Sequence, residues 1–301
     1  MAKGKDVSEK ILEDYNDVFA DIVNNLLFGG REVVKEDELE NAVTVSQLKM
    51  ADGLHEQERD TAKYWKQGTI IIAVLGNENQ SISDQTMPLR LFSYDGTFYK
   101  SQVNRYNSER KQNLSLSPFY PAITIVLYFG KTHWNGPRTL RDCFPNLRPE
   151  LEPFIPNYAI HVIEVAFLTP EEIKRLKSDF RFVADYLTQT RTGRDYVPSD
   201  GRIVHVDETL KLLGAITGDN TFQESINALE EEGKEGVTMC DVVRQFKNEG
   251  RREGREEGRE EARKEYESVL ADKDRVLADR ERELKEMARE LLNLKSRYGL
   301  A

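Results

Sequence analysis

Two carboxylates and an amide carry the chemistry this sequence could do. Asp60 is followed 18 residues later by Glu78-Asn79-Gln80. Between them, Asp60–Trp65 alternates weakly, Lys66-Gln67-Gly68 supplies a turn, and 69–75 is a continuous apolar, β-branched run. That pattern predicts a hairpin whose second strand is buried on both faces. A turn centred on Gln67-Gly68 puts Asp60 opposite about residues 75–77, so Asp60 and Glu78 become near neighbours at the open end. Glu78 and Gln80, two positions apart, share one face of an extended strand. Converging carboxylates suit a divalent cation with oxygen ligands, and Mg2+ is the natural fit. Such an ion activates water, polarises a phosphodiester and stabilises the leaving oxygen. The same spacing also suits ordinary surface carboxylates at strand ends, and spacing alone does not choose between the two.

The elements that must position these residues read as an α/β domain. Residues 8–28 form a helix with Val18, Phe19, Ile22, Val23, Leu26 and Leu27 at helical spacing, ended by Gly29-Gly30. Residues 31–58 are acidic and weakly patterned. A helix over 86–106 starts with Pro88 in its first turn. Buried strands follow at 121–130 and 159–168. Pro170-Glu171-Glu172 opens a helical region reaching about 246. Interleaved helices and strands predict a central mixed β-sheet flanked by helices. Near the end of the chain, glycines at 250, 254 and 258 sit in a charged helical register. Leu270, Leu277, Leu284 and Leu291 then fall seven apart. This is a C-terminal helical coiled-coil extension, and it predicts a homo-oligomer. The domain boundaries so read are 1–215 for the α/β domain, 216–248 for a helical linker and 249–301 for the charged helix.

Composition narrows the classes. The 301 residues carry a formal charge of −10 and are 32% charged. No run approaches the ~18–20 apolar residues of a membrane span, and the start lacks the apolar core of a secretory signal. Two cysteines, Cys143 and Cys240, make no disulfide framework or zinc knuckle, and the expected compartment is a reducing cytoplasm. The four histidines show no metal-ligand spacing. Overall acidity weighs against nucleic-acid binding, yet residues 61–120 are net basic at +3 and contain Arg105, Arg110 and Lys111.

Order and spacing add a resemblance. Asp60, Glu78-Asn79-Gln80, Met87-Pro88-Leu89-Arg90 and Tyr94, followed by Tyr120-Pro121 and Val126-Leu127-Tyr128-Phe129-Gly130, resemble the PD-(D/E)XK nuclease family transposases, or recombination-promoting nucleases. Asp17-Val18-Phe19, the later segment from Phe180 to Tyr186, and the glycine-spaced Arg/Glu tail resemble the same family. The resemblance implies a restriction-endonuclease-like core and metal-dependent cleavage of DNA phosphodiesters. It implies Asp60 and Glu78 as metal ligands, with Mg2+ or another divalent cation as cofactor. Gln80 then stands where the wider superfamily has its lysine. A neutral amide positions by hydrogen bonds and cannot offset charge. Asp17, in the opening motif, is a candidate outer acidic residue. Arg90, Gln102 and Arg105 are candidate contacts to DNA phosphates, although a surface ion pair suits Arg90 equally. Tyr94, Tyr99 and Tyr106 read as core more than as base-stacking groups. The competing class is a decayed nuclease fold acting as a coiled-coil assembly or DNA-binding scaffold, which the missing lysine and the net charge favour.

Overall fold

The computed structural model describes residues 11–41, 60–65, 68–75, 84–231 and 236–298. It divides into two compact units, 1–243 and 244–301. Glu78 and Gln80 lie outside the described residues.

The first unit is built on one mixed five-stranded sheet. Its strands are β1 (Leu39–Asn41), β2 (Asp60–Trp65), β3 (Gly68–Leu75), β4 (Ala122–Tyr128) and β5 (His161–Glu164), lying in sequence order across the sheet. The first three form an antiparallel meander; β4 runs parallel to β3, and β5 parallel to β4. Among the described residues six α-helices lie in this unit: α1 (Asn16–Ile22), α2 (Met87–Lys111), α3 (Pro170–Arg175), α4 (Phe180–Thr190), α5 (Val206–Thr217) and α6 (Thr221–Glu231); a seventh, α7 (Met239–Tyr298), starts here and makes up the described part of the second unit.

β4 is the spine, because Ile125, Val126 and Leu127 are fully buried and successive residues point to opposite faces. On one face Val126 and Tyr128 join Ala62 of β2, Trp134, Ile160 and the inner side of α2 in a single apolar cluster. That inner side is Met87, Leu91, Tyr94 and Phe98, at the spacing of one helical stripe. α2 is the crossover from β3 to β4. It starts where Asp84 accepts from the Thr86 amide (2.7 Å) and hydroxyl and pairs with Arg90 (2.7 Å), with Pro88 in the first turn. It stops at Asn113, whose φ of 51° cannot continue a right-handed helix. Asp95, buried mid-helix, accepts from Thr124 of β4 (2.7 Å) and Tyr158 (2.8 Å), tying the helix to the sheet. Burial pushes its carboxyl above the usual range, and those two donors partly offset the shift. α3 opens at Pro170, as the Pro-Glu-Glu signal predicted, and a reciprocal cap between Thr169 and Glu172 closes its first turn.

Several elements differ from expectation. The first helix starts at Asn16 after a short turn and ends in a wide turn over Val23–Leu27. The acidic segment holds an unforeseen edge strand, β1. The strand expected to be buried over 159–168 is only His161–Glu164, exposed to half-buried at the edge of the sheet, because Val165–Phe167 coil into a tight turn instead of extending. The last helix begins at Met239, ten residues before the expected boundary at 249, and runs 60 residues. No helix among the described residues is long and apolar enough to cross a membrane.

Candidate active site

The sequence expectation concerns one end of the sheet. β3, β4 and β5 finish level there: Leu75 is opposite Tyr128, and Tyr128 is opposite Glu164. β2 runs the other way and starts at this end with Asp60, whose backbone pairs with Ala73. The expected partners were about 75–77. The hairpin connection is the pair 66–67, so Trp65 already faces Gly68 and the register is tighter than a turn centred on Gln67-Gly68 gives. Glu78 therefore lies five residues beyond Asp60's partner along the chain.

The N-terminal segment braces β2 from the side of Thr61, Lys63 and Trp65. Asp14 accepts from the Thr61 hydroxyl (2.7 Å), and its carbonyl accepts from the Lys63 ammonium (2.8 Å). Lys63 is fully buried, with Asn41 of β1 as a further acceptor, which answers the need of a buried cation for hydrogen-bond partners. Trp65 donates to Glu38 at 3.1 Å. Glu13, next to Asp14, is fully buried as well. Two acidic side chains of this segment thus touch β2, Glu38 at Trp65 and Asp14 at Thr61, the residue next to Asp60. Reading along the chain missed Asp14, although Glu13-Asp14 immediately ahead of the first helix was visible.

Asp17 has a different neighbour. Its carboxylate meets His205 Nε2 at 3.0 Å, at the start of α5, and the Tyr15 ring stacks on His205 at 3.7 Å. Through this contact Asp17 joins α1 to α5. Asp21 likewise fastens the approach to α4, accepting from the Lys177 and Ser178 amides (both 2.8 Å) and the Ser178 hydroxyl.

The candidate phosphate contacts separate into three cases. Gln102 is buried on α2, where its amide donates to the Tyr120 carbonyl (2.9 Å) and accepts from the Tyr120 amide (2.7 Å). Both polar atoms of its amide bond the backbone, and the side chain clamps the entry to β4. Arg90 is held by Asp84 and reaches the Tyr94 hydroxyl at 3.2 Å, the ion pair weighed as its alternative. Arg105 donates to the Pro118 carbonyl (3.1 Å), lies 3.9 Å from Glu109, and remains exposed. Tyr94 is core. Tyr99 is half-exposed with its hydroxyl accepting from the Ala122 amide (3.2 Å), and Tyr106 packs on Phe119.

Glu164, at the end of β5, is a third acidic residue at this end of the sheet that the sequence reading did not single out. It accepts from Arg138 (2.7 Å) and meets His133 Nδ1 at 2.6 Å. Three strand spacings of about 4.8 Å separate β5 from β2, so Glu164 stands roughly 14 Å from Asp60's strand, too far for one cation. Among the described residues no three His, Cys, Asp or Glu side chains group to hold a metal. The donor set from sequence, two carboxylates with an amide carbonyl, is all oxygen of the hard kind that Mg2+ accepts.

No curated protein and no solved structure matches the chain. A family model does, and the matched stretch includes Glu78, Gln80, Arg90, Gln102 and Arg105 while beginning three residues after Asp60. Over residues 63–204 the chain matches the family described as putative transposase, YhgA-like, the family that its motifs resemble.

Proposed function

We propose that this chain is a metal-dependent DNA endonuclease on a restriction-endonuclease-like core, working in the movement or recombination of DNA. The observation that supports this most is topological. An antiparallel hairpin starts with Asp60 and is joined through α2 to a parallel strand, so the acidic start of β2 and the exit of β3 share one end of a buried sheet. The transposase family match over the same elements supports DNA as the substrate.

In this reading Asp60 and Glu78 hold the cation, and Gln80 orients the attacking water or a phosphate oxygen through its amide. The cation would supply charge neutralisation at the phosphodiester and a more acidic water. The register makes a demand on the chain. A straight continuation of β3 would carry Glu78 about 16 Å past Asp60's partner at ~3.3 Å per residue, so sharing a cation requires the segment after Leu75 to turn back toward β2. The exposed leucines of α7, 42–64% accessible and seven residues apart, support self-association through that helix. Two unpaired cysteines agree with a cytoplasmic setting.

The test is nicking of supercoiled plasmid with Mg2+, with EDTA, and with Asp60→Ala and Glu78→Ala. Wild type should nick only with the metal, and each alanine variant should lose at least about 100-fold, the scale of a lost electrostatic contribution. Nicking that survives both substitutions, or a wild type inert with Mg2+ and Mn2+, leaves the scaffold reading in its place.

A further inference from the structure

α2 carries a second apolar stripe that the described residues cover only in part: Phe92 meets Tyr158 edge-on at 5.4 Å and the Tyr99 hydroxyl accepts from the Ala122 amide. The stripe beside the core side reads Leu89, Phe92, Gly96, Tyr99, Val103, the alternating three- and four-residue spacing of a helix–helix seam. Its side chains are 40–46% exposed. Gly96 at its centre has no local reason to be glycine. It lies mid-helix, its φ is not positive, and a Cβ there would meet nothing within 4 Å. Glycine inside a helix costs about 1 kcal/mol relative to alanine, and no contact among the described residues offsets that cost.

The stripe is close to a palindrome about that glycine. Leu89 and Val103 lie seven residues to either side, and the aromatic pair Phe92 and Tyr99 lies four and three away. A patch of this kind is complementary to itself under a two-fold axis, which is what a symmetric dimer contact requires. We propose that α2 pairs with α2 of a second copy, antiparallel, crossing at Gly96. Charge selects the antiparallel order. The second half of α2 carries Lys100, Arg105, Arg110 and Lys111 against Glu109 alone. A parallel pair would stack those basic halves, whereas the antiparallel pair keeps them at opposite ends. The area fits a reversible contact. With Phe119, which packs on Tyr106 beside the same half, five side chains each offer about 90 Å2. Together with their polar neighbours this gives roughly 600 Å2 per copy, somewhat below the ~800 Å2 of a standard interface. This contact is separate from the α7 seam and does not depend on the nuclease reading.

The test uses the full chain with Cys143→Ser and Cys240→Ser. Helix axes about 9 Å apart, with Cα atoms ~2.3 Å from each axis, bring the two on-axis Cα atoms to about 4–5 Å, within disulfide reach. Gly96→Cys should therefore cross-link to itself on mild oxidation. Val103→Cys alone should cross-link at least about tenfold less, and should recover when mixed with Leu89→Cys, because the antiparallel order sets 103 against 89. A second arm removes the α7 seam with Leu277→Lys and Leu284→Lys. That chain should still show a dimer by light scattering at about 50 μM, a concentration suited to an interface of this size, and adding Leu89→Glu with Val103→Glu should make it a monomer. Self-linking of Val103→Cys equal to that of Gly96→Cys overturns the proposal. So does a monomer in the α7 variant, or a Gly96→Cys thiol shielded from reagent without cross-linking, which would mark another segment as the occupant.

Discussion

Replacing Gln102 distinguishes a residue that touches nucleic acid from one that holds the sheet. Gln102→Ala removes one bond to the Tyr120 carbonyl and one from its amide, at 2.9 and 2.7 Å. A backbone group left without its partner costs about 1–3 kcal/mol, and the partial exposure of Tyr120 lets water reach it, so the loss should be about 2 kcal/mol. Arg105 still holds the Pro118 carbonyl, which keeps the damage local. For a unit of this size, 2 kcal/mol is about 4–8 °C in Tm. Both tryptophans, Trp65 and Trp134, lie in the sheet unit, so their fluorescence during urea unfolding reports that unit without α7. Gln102→Glu adds a sharper reading. Its carboxylate can accept from the Tyr120 amide but cannot donate to the carbonyl, so near pH 7 it should be no better than alanine. Protonation below about pH 4 restores a donor and should recover part of the loss. DNA affinity of either variant, measured by anisotropy while folded, should stay within about twofold of wild type. An unchanged unfolding midpoint with DNA affinity down tenfold or more would refute the clamp and restore Gln102 as a DNA contact.

Three other outcomes are expected. Burial holds the carboxyls of Asp95 and Asp179 above their ordinary range, against the bonds each accepts. A raised native pKa favours the fold below the ordinary value near 3.9, and that contribution is lost as pH rises through the raised one. The Tm of the sheet unit should accordingly fall over that window. Asp179→Asn should flatten the fall, since one oxygen takes both the Val204 and His205 amides and an amide oxygen can do the same; an unaltered pH profile would contradict this. Lys63→Ala should cost about 3 kcal/mol by urea unfolding, because it leaves the Asp14 carbonyl and Asn41 short of a donor and opens a cavity in a fully buried site; a loss under 1 kcal/mol would mean the site relaxes around it. Leu277→Lys with Leu284→Lys changes two exposed residues and should leave fluorescence-detected stability within about 0.5 kcal/mol while lowering the mass of the assembly; an unchanged mass argues against the α7 seam.

What the sequence by itself determined was everything encoded between near neighbours. The β-branched runs of β3 and β4, the proline start of α2, the Thr169–Glu172 cap and the leucine heptads of α7 each follow from residues a few positions apart, whose period or capping chemistry acts before any tertiary contact forms. The order of motifs that pointed to the transposase family was legible for the same reason. Tertiary structure decided the rest, because those choices belong to partners far along the chain. β1 exists through backbone bonds to β2 and not through its own acidic sequence. Asp17 is bound to a histidine 188 residues away, and Gln102 reads as a free polar side chain until β4 is laid beside α2. The hairpin register set Asp60 opposite Ala73 instead of residues 75–77, since two residues of turn length decide which strand positions meet.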